Sequence, residues 1–310
     1  MDNKLLISVS PHIHCKNSTG KIMLDVIISL LPATVAGIII FGIRALWVVA
    51  VTVASAVLSE YLFNLILKKK QTIGDLSAVV TGLLLALNLP ANIPLWQGAV
   101  GSVFAIIIVK SIFGGLGCNI VNPAITARVF MLLAFGTLAK PAFPLADTVS
   151  SATPLVQMAE GTTPSLLNLF LGDIGGAIGE TSALALLIGG IYLLLRKVIT
   201  WQIPVSFIGT VFVFVLLLEG FDFGIALAQI LSGGLFIGAF FMATDYVTSP
   251  PTAMGKLVFG LGAGIITVLI RYYGIYPEGV SFAILFMNIL NPYVQSWTPR
   301  KLFGVGGQNK

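Results

Sequence analysis

Charge is scarce in this chain. Only 9% of its 310 residues are Asp, Glu, Lys or Arg, while 57% are hydrophobic. An ordinary soluble domain carries about 25% charged residues. So few charges cannot cover a water-facing surface, which excludes a soluble globular protein. Cysteine is scarcer still. Cys15 and Cys118 are the two present, too few and too far apart for a disulfide framework. His12 and His14 are the only histidines. With Cys15 they spell "PHIHC", but no second ligand pair follows at the spacing of a structural zinc site. That segment reads as a polar stretch at a membrane surface. The formal charge of +5 is not a nucleic-acid footprint, because in a membrane chain the placement of basic residues matters more than their sum.

What the chain does have is long apolar runs. Ten segments suit membrane helices, at roughly 22–42, 45–67, 76–91, 95–113, 122–139, 181–195, 202–218, 224–243, 256–273 and 279–296. Runs of this length predict an all-α polytopic membrane protein rather than a barrel. Residues 1–21 are polar and the first apolar run is a full span, so no cleavable signal is expected.

The basic residues orient it. With the amino terminus in the cytoplasm, thirteen fall inside: Lys4, Lys16, Lys21, Lys68, Lys69, Lys70, Lys110, Arg196, Lys197, Lys256, Arg300, Lys301 and Lys310. Arg44, Lys140 and Arg271 fall outside, and Arg128 lies within a span. This satisfies the positive-inside rule and places both termini in the cytoplasm of a bacterial inner-membrane protein. The segment 140–180 is then an extracytoplasmic loop between two halves, 1–139 and 181–310.

An internal echo suggests how the halves relate. "NIVNP" at Asn119–Pro123 returns as "NILNP" at Asn288–Pro292. "TGLLLALNLP" and "GAFFMATDYVTSP" are both apolar runs ending in polar residues and proline. Five spans per half would give inverted repeats, which place a ligand or ion path between them.

Ionisable residues inside spans cost about 2.5–3.5 kcal/mol each on insertion scales and need a reason. Arg128, in "NPAITARVF", cannot lose its charge and needs an anion, either a phosphate or a buried carboxylate. Glu60, in "LSEYL", suits a structural role near the helix end or an ion path equally. Asp245 stands with Thr244, Thr248 and Ser249 where the eighth span breaks, a set of oxygens that suits a cation or polar ligand. Gly175–Ser182, "GGAIGETS", leads into the sixth span, where glycines before a helix can bring amides to a phosphate or simply permit a turn.

"DTVSSATPL" resembles the flavinylation sequence of the Rnf D subunit and NqrB family of membrane flavoproteins. That pattern is Asp, two variable residues, Ser or Thr, Gly, Ala, Thr. Here it reads Asp147, Thr148, Val149, Ser150, Ser151, Ala152 and Thr153, with Ser151 in place of glycine. "SPH", "GGLGCNIVNPAITARVF", "GAIGETSALALLIGG" and "MATDYVTSP" extend the resemblance over nearly the whole chain. Its length and single loop match the Rnf D branch.

The resemblance implies a fold like that of urea channels and a flavin mononucleotide (FMN) esterified through its phosphate to Thr153. Asp147, Ser150, Ser151 and Ala152 would form the signal read by a flavin transferase outside the membrane. Arg128, Glu180 and Thr181 are further cofactor-binding candidates. A second, non-covalent riboflavin is another cofactor the family suggests, with Asp245, Thr244, Thr248 and Glu60 as candidates for that site or for a Na⁺ or H⁺ path. The implied function is that of one subunit in a complex moving electrons between ferredoxin and NAD while translocating ions. This chain has neither iron–sulfur cysteine clusters nor a dinucleotide fingerprint, so partner subunits must supply those steps. The rival reading is a non-redox channel or transporter, which composition and repeat fit equally; the flavinylation loop separates the two.

Overall fold

A computed structural model of the protein describes residues 18–136, 142–144, 153–159, 161, 163–274 and 279–299. Among these the structure is helical, with no strand beyond one bridge between Ala142 and Gly176. A chain this apolar must satisfy its backbone polar groups internally, and a helix does so within one segment.

Two long helices come first: α1 (Thr19–Phe41), capped by the Ser18 side chain, and α2 (Ile43–Ile66), joined to it through Gly42. A short 3₁₀ turn at Ile73–Asp75 precedes α3 (Ser77–Leu87). Helix α4 (Leu95–Val103) continues as a π-helix, Phe104–Ser111, and α5 is Pro123–Ala134. Two short helices follow, α6 (Pro154–Ala159) and α7 (Leu166–Leu171). The remainder comprises α8 (Ala183–Leu195), α9 (Gln202–Leu218), α10 (Phe223–Leu231), α11 (Leu235–Ile237, continued as a π-helix to Met242), α12 (Ala253–Tyr273) and α13 (Val280–Trp297).

Helices α1, α2 and α12 are each long and apolar enough to cross a membrane, and α10 with α11 is an apolar pair bent by 63° at its break, a broken span or a re-entrant loop. Shorter apolar helices accompany them. The protein is therefore an all-helical polytopic membrane protein. Every apolar run read from the sequence carries helix, but three depart from the expected range. The helix expected over 122–139 ends at Ala134. The helix expected over 76–91 ends at Leu87. The one expected over 224–243 breaks at Ser232–Gly234, where Gly233 and Gly234 have φ of +67° and +68°, a left-handed conformation that side-chain-bearing residues avoid. The segment 140–180 is also not free of helix: Pro154 opens α6, where a missing N–H costs nothing.

Small residues set the tightest packing. Helix α9 lies against α12, and a Cβ at Gly264 would stand 2.6 Å from Thr210 Cβ. Gly260, one turn earlier, faces Ser206. This is the small-xxx-small spacing by which membrane helices approach closely without a hydrophobic driving force. Elsewhere α2 packs on α3 and α4, α1 on α8, and α5 on α13.

The two Asn-Pro motifs do not occupy equivalent places. Asn122 caps the start of α5, with Pro123 as its first residue, whereas Pro292 lies inside α13. The motifs instead meet. With its amide oriented to satisfy both neighbours, Asn288 accepts from Asn122 N and donates to Thr248 O, each at 3.2 Å. The sequence echo is thus also a contact between the two segments.

Candidate functional site

The residues flanking α8 and α5 build the centre of the protein. The Ile178 and Gly179 amides donate to Leu89 O and Leu87 O at 3.0 and 2.7 Å. They thereby serve carbonyls at the end of α3, where helical partners run out. This holds Glu180 over the end of α3 and in reach of α5. Arg128 Nη2 donates to Glu180 Oε1 at 2.8 Å, and Nη1 donates to Asn88 Oδ1 at 2.8 Å and to Ser281 Oγ at 3.1 Å. Both charged side chains are buried. The anion that Arg128 requires is thus a carboxylate. Asn88 ends α3, and a Cβ at Gly234 would stand 2.6 Å from Glu180 Oε1. The ion pair therefore sits between the two places where a span breaks.

On one side of this pair lies a crevice of about 20 Å³ lined by Thr153, Pro154, Leu155, Ile174, Gly175, Gly176, Glu180, Thr181 and Gly233. Thr153 is half-buried and directly precedes α6; its carbonyl accepts from Gln157 N at 2.9 Å. The structure thus brings Thr153, Glu180 and Thr181 together on one crevice. Thr181 Oγ1 is buried and has no hydrogen-bond partner among the described residues. At Gly176 a Cβ would meet nothing closer than Thr181 Cγ2 at 3.7 Å and one hydroxyl is unspent, so the crevice would admit an oxygen of a phosphoryl group carried on Thr153. Asp147, Ser150, Ser151 and Ala152 lie outside the described residues, as do His12, His14 and Cys15.

On the other side is a cavity of about 100 Å³ whose polar lining includes Ser77, Thr81, Lys110, Asn119, Asn122, Thr244 and Asp245. Asn122 Nδ2 donates to Met242 O at 3.3 Å, and Asn88 Nδ2 lies 3.7 Å from Met242 Sδ. Polar groups thus run from the Thr153 crevice through Glu180, Arg128, Asn88 and Asn122 to this cavity. The oxygens grouped around Asp245 are partly spent locally. Thr248 Oγ1 donates to Asp245 Oδ2 at 3.1 Å, Ser249 Oγ to Asp245 O at 2.6 Å and Thr244 Oγ1 to Phe240 O at 2.6 Å. These bonds hold the turn after α11. Thr248 does not line the cavity, whereas Thr244 and Asp245 do.

Lys110 and Glu60 correct the sequence reading. Lys110, counted among the inside loop residues, lies in the π-helical continuation of α4 and is 3% exposed. The wider turn carries it inward. Its Nζ donates to Glu60 Oε2 at 2.8 Å and to Ser77 Oγ at 2.6 Å. Glu60, which could have reached the membrane surface, is buried and also accepts from Thr72 Oγ1. Removing Lys110 from the tally leaves twelve basic residues inside against three outside. Reading the sequence also missed Asn88, Ser281 and Gly233. The "SGG" at Ser232–Gly234 was a legible chain-breaking signal. Nothing in the sequence pairs Ser281 or Asn88 with an arginine 153 or 40 residues away.

Comparison with known proteins agrees with this architecture. Residues 6–304 match the family described as NQR2, RnfD, RnfE family. The D subunit of the Na⁺-translocating ferredoxin:NAD⁺ oxidoreductase complex of Acetobacterium woodii is 50% identical over 308 residues, covering 97% of this chain and 96% of the relative. The D subunit of the proton-translocating ferredoxin:NAD⁺ oxidoreductase complex of Clostridium ljungdahlii is 43% identical over 320 residues, covering 97% of each. The D subunit of the ion-translocating oxidoreductase complex of Stutzerimonas stutzeri is 38% identical over 339 residues, covering 95% of each.

Proposed function

Because this chain belongs to the NQR2, RnfD, RnfE family, we propose that it acts as the D subunit of an ion-translocating ferredoxin:NAD⁺ oxidoreductase complex, carrying FMN on Thr153. The observation that carries the cofactor assignment is the convergence of Thr153, Glu180 and Thr181 on one crevice, with the Thr181 hydroxyl unpartnered among the described residues. When bound, FMN supplies one- and two-electron transfer. The chain's own residues anchor and orient it. Thr153 offers the hydroxyl for the phosphoester, and α6 fixes its backbone. The Arg128–Glu180 pair fixes the wall of the crevice and keeps two charges compensated in an apolar interior. Asp147, Ser150, Ser151 and Ala152 serve a flavin transferase during maturation.

The complex resides in the cytoplasmic membrane, with both termini inside and the Thr153 loop outside. The charge placement favours this orientation even without Lys110. Two five-helix halves of inverted orientation, as in urea channels, account for the packing: α2 on α4 is answered by α9 on α12, and α1 meets α8 as α5 meets α13. The path for Na⁺ or H⁺ involves the cavity lined by Thr244 and Asp245, with Glu60 joined to it through Lys110 and Thr248 supporting Asp245. The same cavity is the candidate place for a second flavin.

Mass analysis of the Thr153 peptide, from chain matured with the flavin transferase, tests the reading. An added FMN that disappears in Thr153→Val supports it. An unmodified peptide overturns it and favours the non-redox channel.

A further inference from the structure

Thr181 is fully buried, yet its hydroxyl has no partner among the described residues. Proteins seldom leave a buried hydroxyl unused, because desolvation is then uncompensated. Thr181 is among the residues that line the crevice shared with Thr153.

A cationic group stands behind the same crevice. Arg271, in the last turn of α12, donates through Nη1 to Gln229 O at 2.6 Å and Gln229 Oε1 at 3.0 Å, and through Nη2 to Ser232 O at 3.0 Å. These bonds hold it against the break between α10 and α11. A Cβ at Gly233 would stand 2.9 Å from Arg271 Nη2 and would run into Leu155. Bare backbone at Gly233 therefore lets the guanidinium lie immediately behind the crevice wall. The carboxylate in the lining, Glu180, is already held by Arg128.

We propose that Thr181 and Arg271 form a seat for the anionic phosphoryl group carried on Thr153. Thr181 donates its hydroxyl to a phosphoryl oxygen, and Arg271 supplies positive charge across Gly233. Both are positioning residues: they fix the tether, not the redox chemistry. The size supports a phosphoryl seat rather than a ring site. A water-sized sphere needs about 10–15 Å³, so a crevice of about 20 Å³ takes a phosphoryl oxygen and leaves a tricyclic ring outside. The inference rests on the reading that Thr153 carries FMN.

The test uses the full chain, matured with the flavin transferase and washed free of non-covalent flavin. Thr181→Val, Thr181→Ser, Arg271→Gln and Arg271→Lys are compared with the unsubstituted chain. Mass analysis of the Thr153 peptide first establishes that FMN is attached. Flavin fluorescence anisotropy then reports how firmly the tether is held. Anisotropy is expected to fall in Thr181→Val and Arg271→Gln and to return towards the original in Thr181→Ser and Arg271→Lys. Attached FMN with unchanged anisotropy in both Thr181→Val and Arg271→Gln overturns the seat while leaving the cofactor assignment intact. Absence of FMN from the unsubstituted chain overturns the assignment, and the seat with it. Should Thr181→Val not fold, Thr181→Ala and the two Arg271 variants make the same comparison.

Discussion

Arg128 and Glu180 meet as a buried ion pair at 2.8 Å although they lie 52 residues apart in sequence. Removing one partner of such a pair leaves an uncompensated charge in an apolar interior, at a cost of about 3–5 kcal/mol. Arg128→Met also leaves Asn88 Oδ1 and Ser281 Oγ without their guanidinium donor. Arg128→Met and Glu180→Leu are each expected to lower the melting midpoint of the detergent-purified chain sharply. The double variant should lose less than the two losses combined. Full additivity in that cycle would show that the two side chains do not act as a pair.

The Lys110–Glu60 pair makes the same argument on the other side of the protein, with a different consequence. Lys110→Met strands Glu60 with Thr72 as its remaining hydrogen-bond donor among the described residues. A loss of about 3–5 kcal/mol is again the expectation. Adding Glu60→Gln removes the stranded charge and should recover part of it. Thermal unfolding of the two variants side by side is the measurement. A single variant as stable as the double would contradict a buried, paired Lys110.

Much of this was legible in the sequence, for reasons that can be named. The cost of a charge in lipid alone marks Arg128 as a residue in need of an anion. Apolar run lengths placed the helices, because the bilayer sets that length. What could not be read were partners across the fold. Lys110 sits just before "SIFGGLG" and looks like an interfacial lysine. Only the wider π-helical turn, which hydropathy does not encode, points it at Glu60. The end of α3 and the break after α10 lie where hydropathy alone runs on, although Pro90 with Asn92 and the Ser232–Gly234 "SGG" are chain-breaking signals.

Arg196 and Asp25 provide a contrast. Their closest approach is 3.1 Å, but the arginine side chain is 57% exposed. Water screens such a pair, and holding two side chains in one geometry offsets the attraction. Arg196→Gln is therefore expected to leave the melting midpoint within experimental error of the original chain. A loss comparable to that of Arg128→Met would mean that lipid or a partner subunit dries this pair in the membrane.

At Gly264 two opposing effects can be weighed. Alanine is favoured over glycine within a helix by about 0.8–1.0 kcal/mol. Against this, the new methyl would stand 2.6 Å from Thr210 Cβ on α9, and overpacking of this kind costs about 1–3 kcal/mol. The packing effect is the larger, so Gly264→Ala should destabilise. Gly264→Ala with Thr210→Ser, which removes the Cγ2 methyl at 2.8 Å but keeps the Cβ, should restore part of the loss in the melting midpoint.

Gly234 links backbone strain to the central ion pair. Its φ is +68°, where a side-chain-bearing residue incurs about 1–2 kcal/mol, and no helix propensity is gained because the residue precedes α11. The new methyl would also stand 2.6 Å from Glu180 Oε1, the oxygen that receives Arg128 Nη2. Gly234→Ala therefore loses stability in two ways, one local and one through the carboxylate. A cycle with Arg128→Met separates them. If the methyl pushes Glu180 off Arg128, the second substitution finds the pair already weakened, and the combined loss falls short of the sum by at least about 0.5 kcal/mol, the lower bound for coupled neighbours. If backbone strain alone is responsible, the losses add, and the break between α10 and α11 is mechanically independent of the charges beside it.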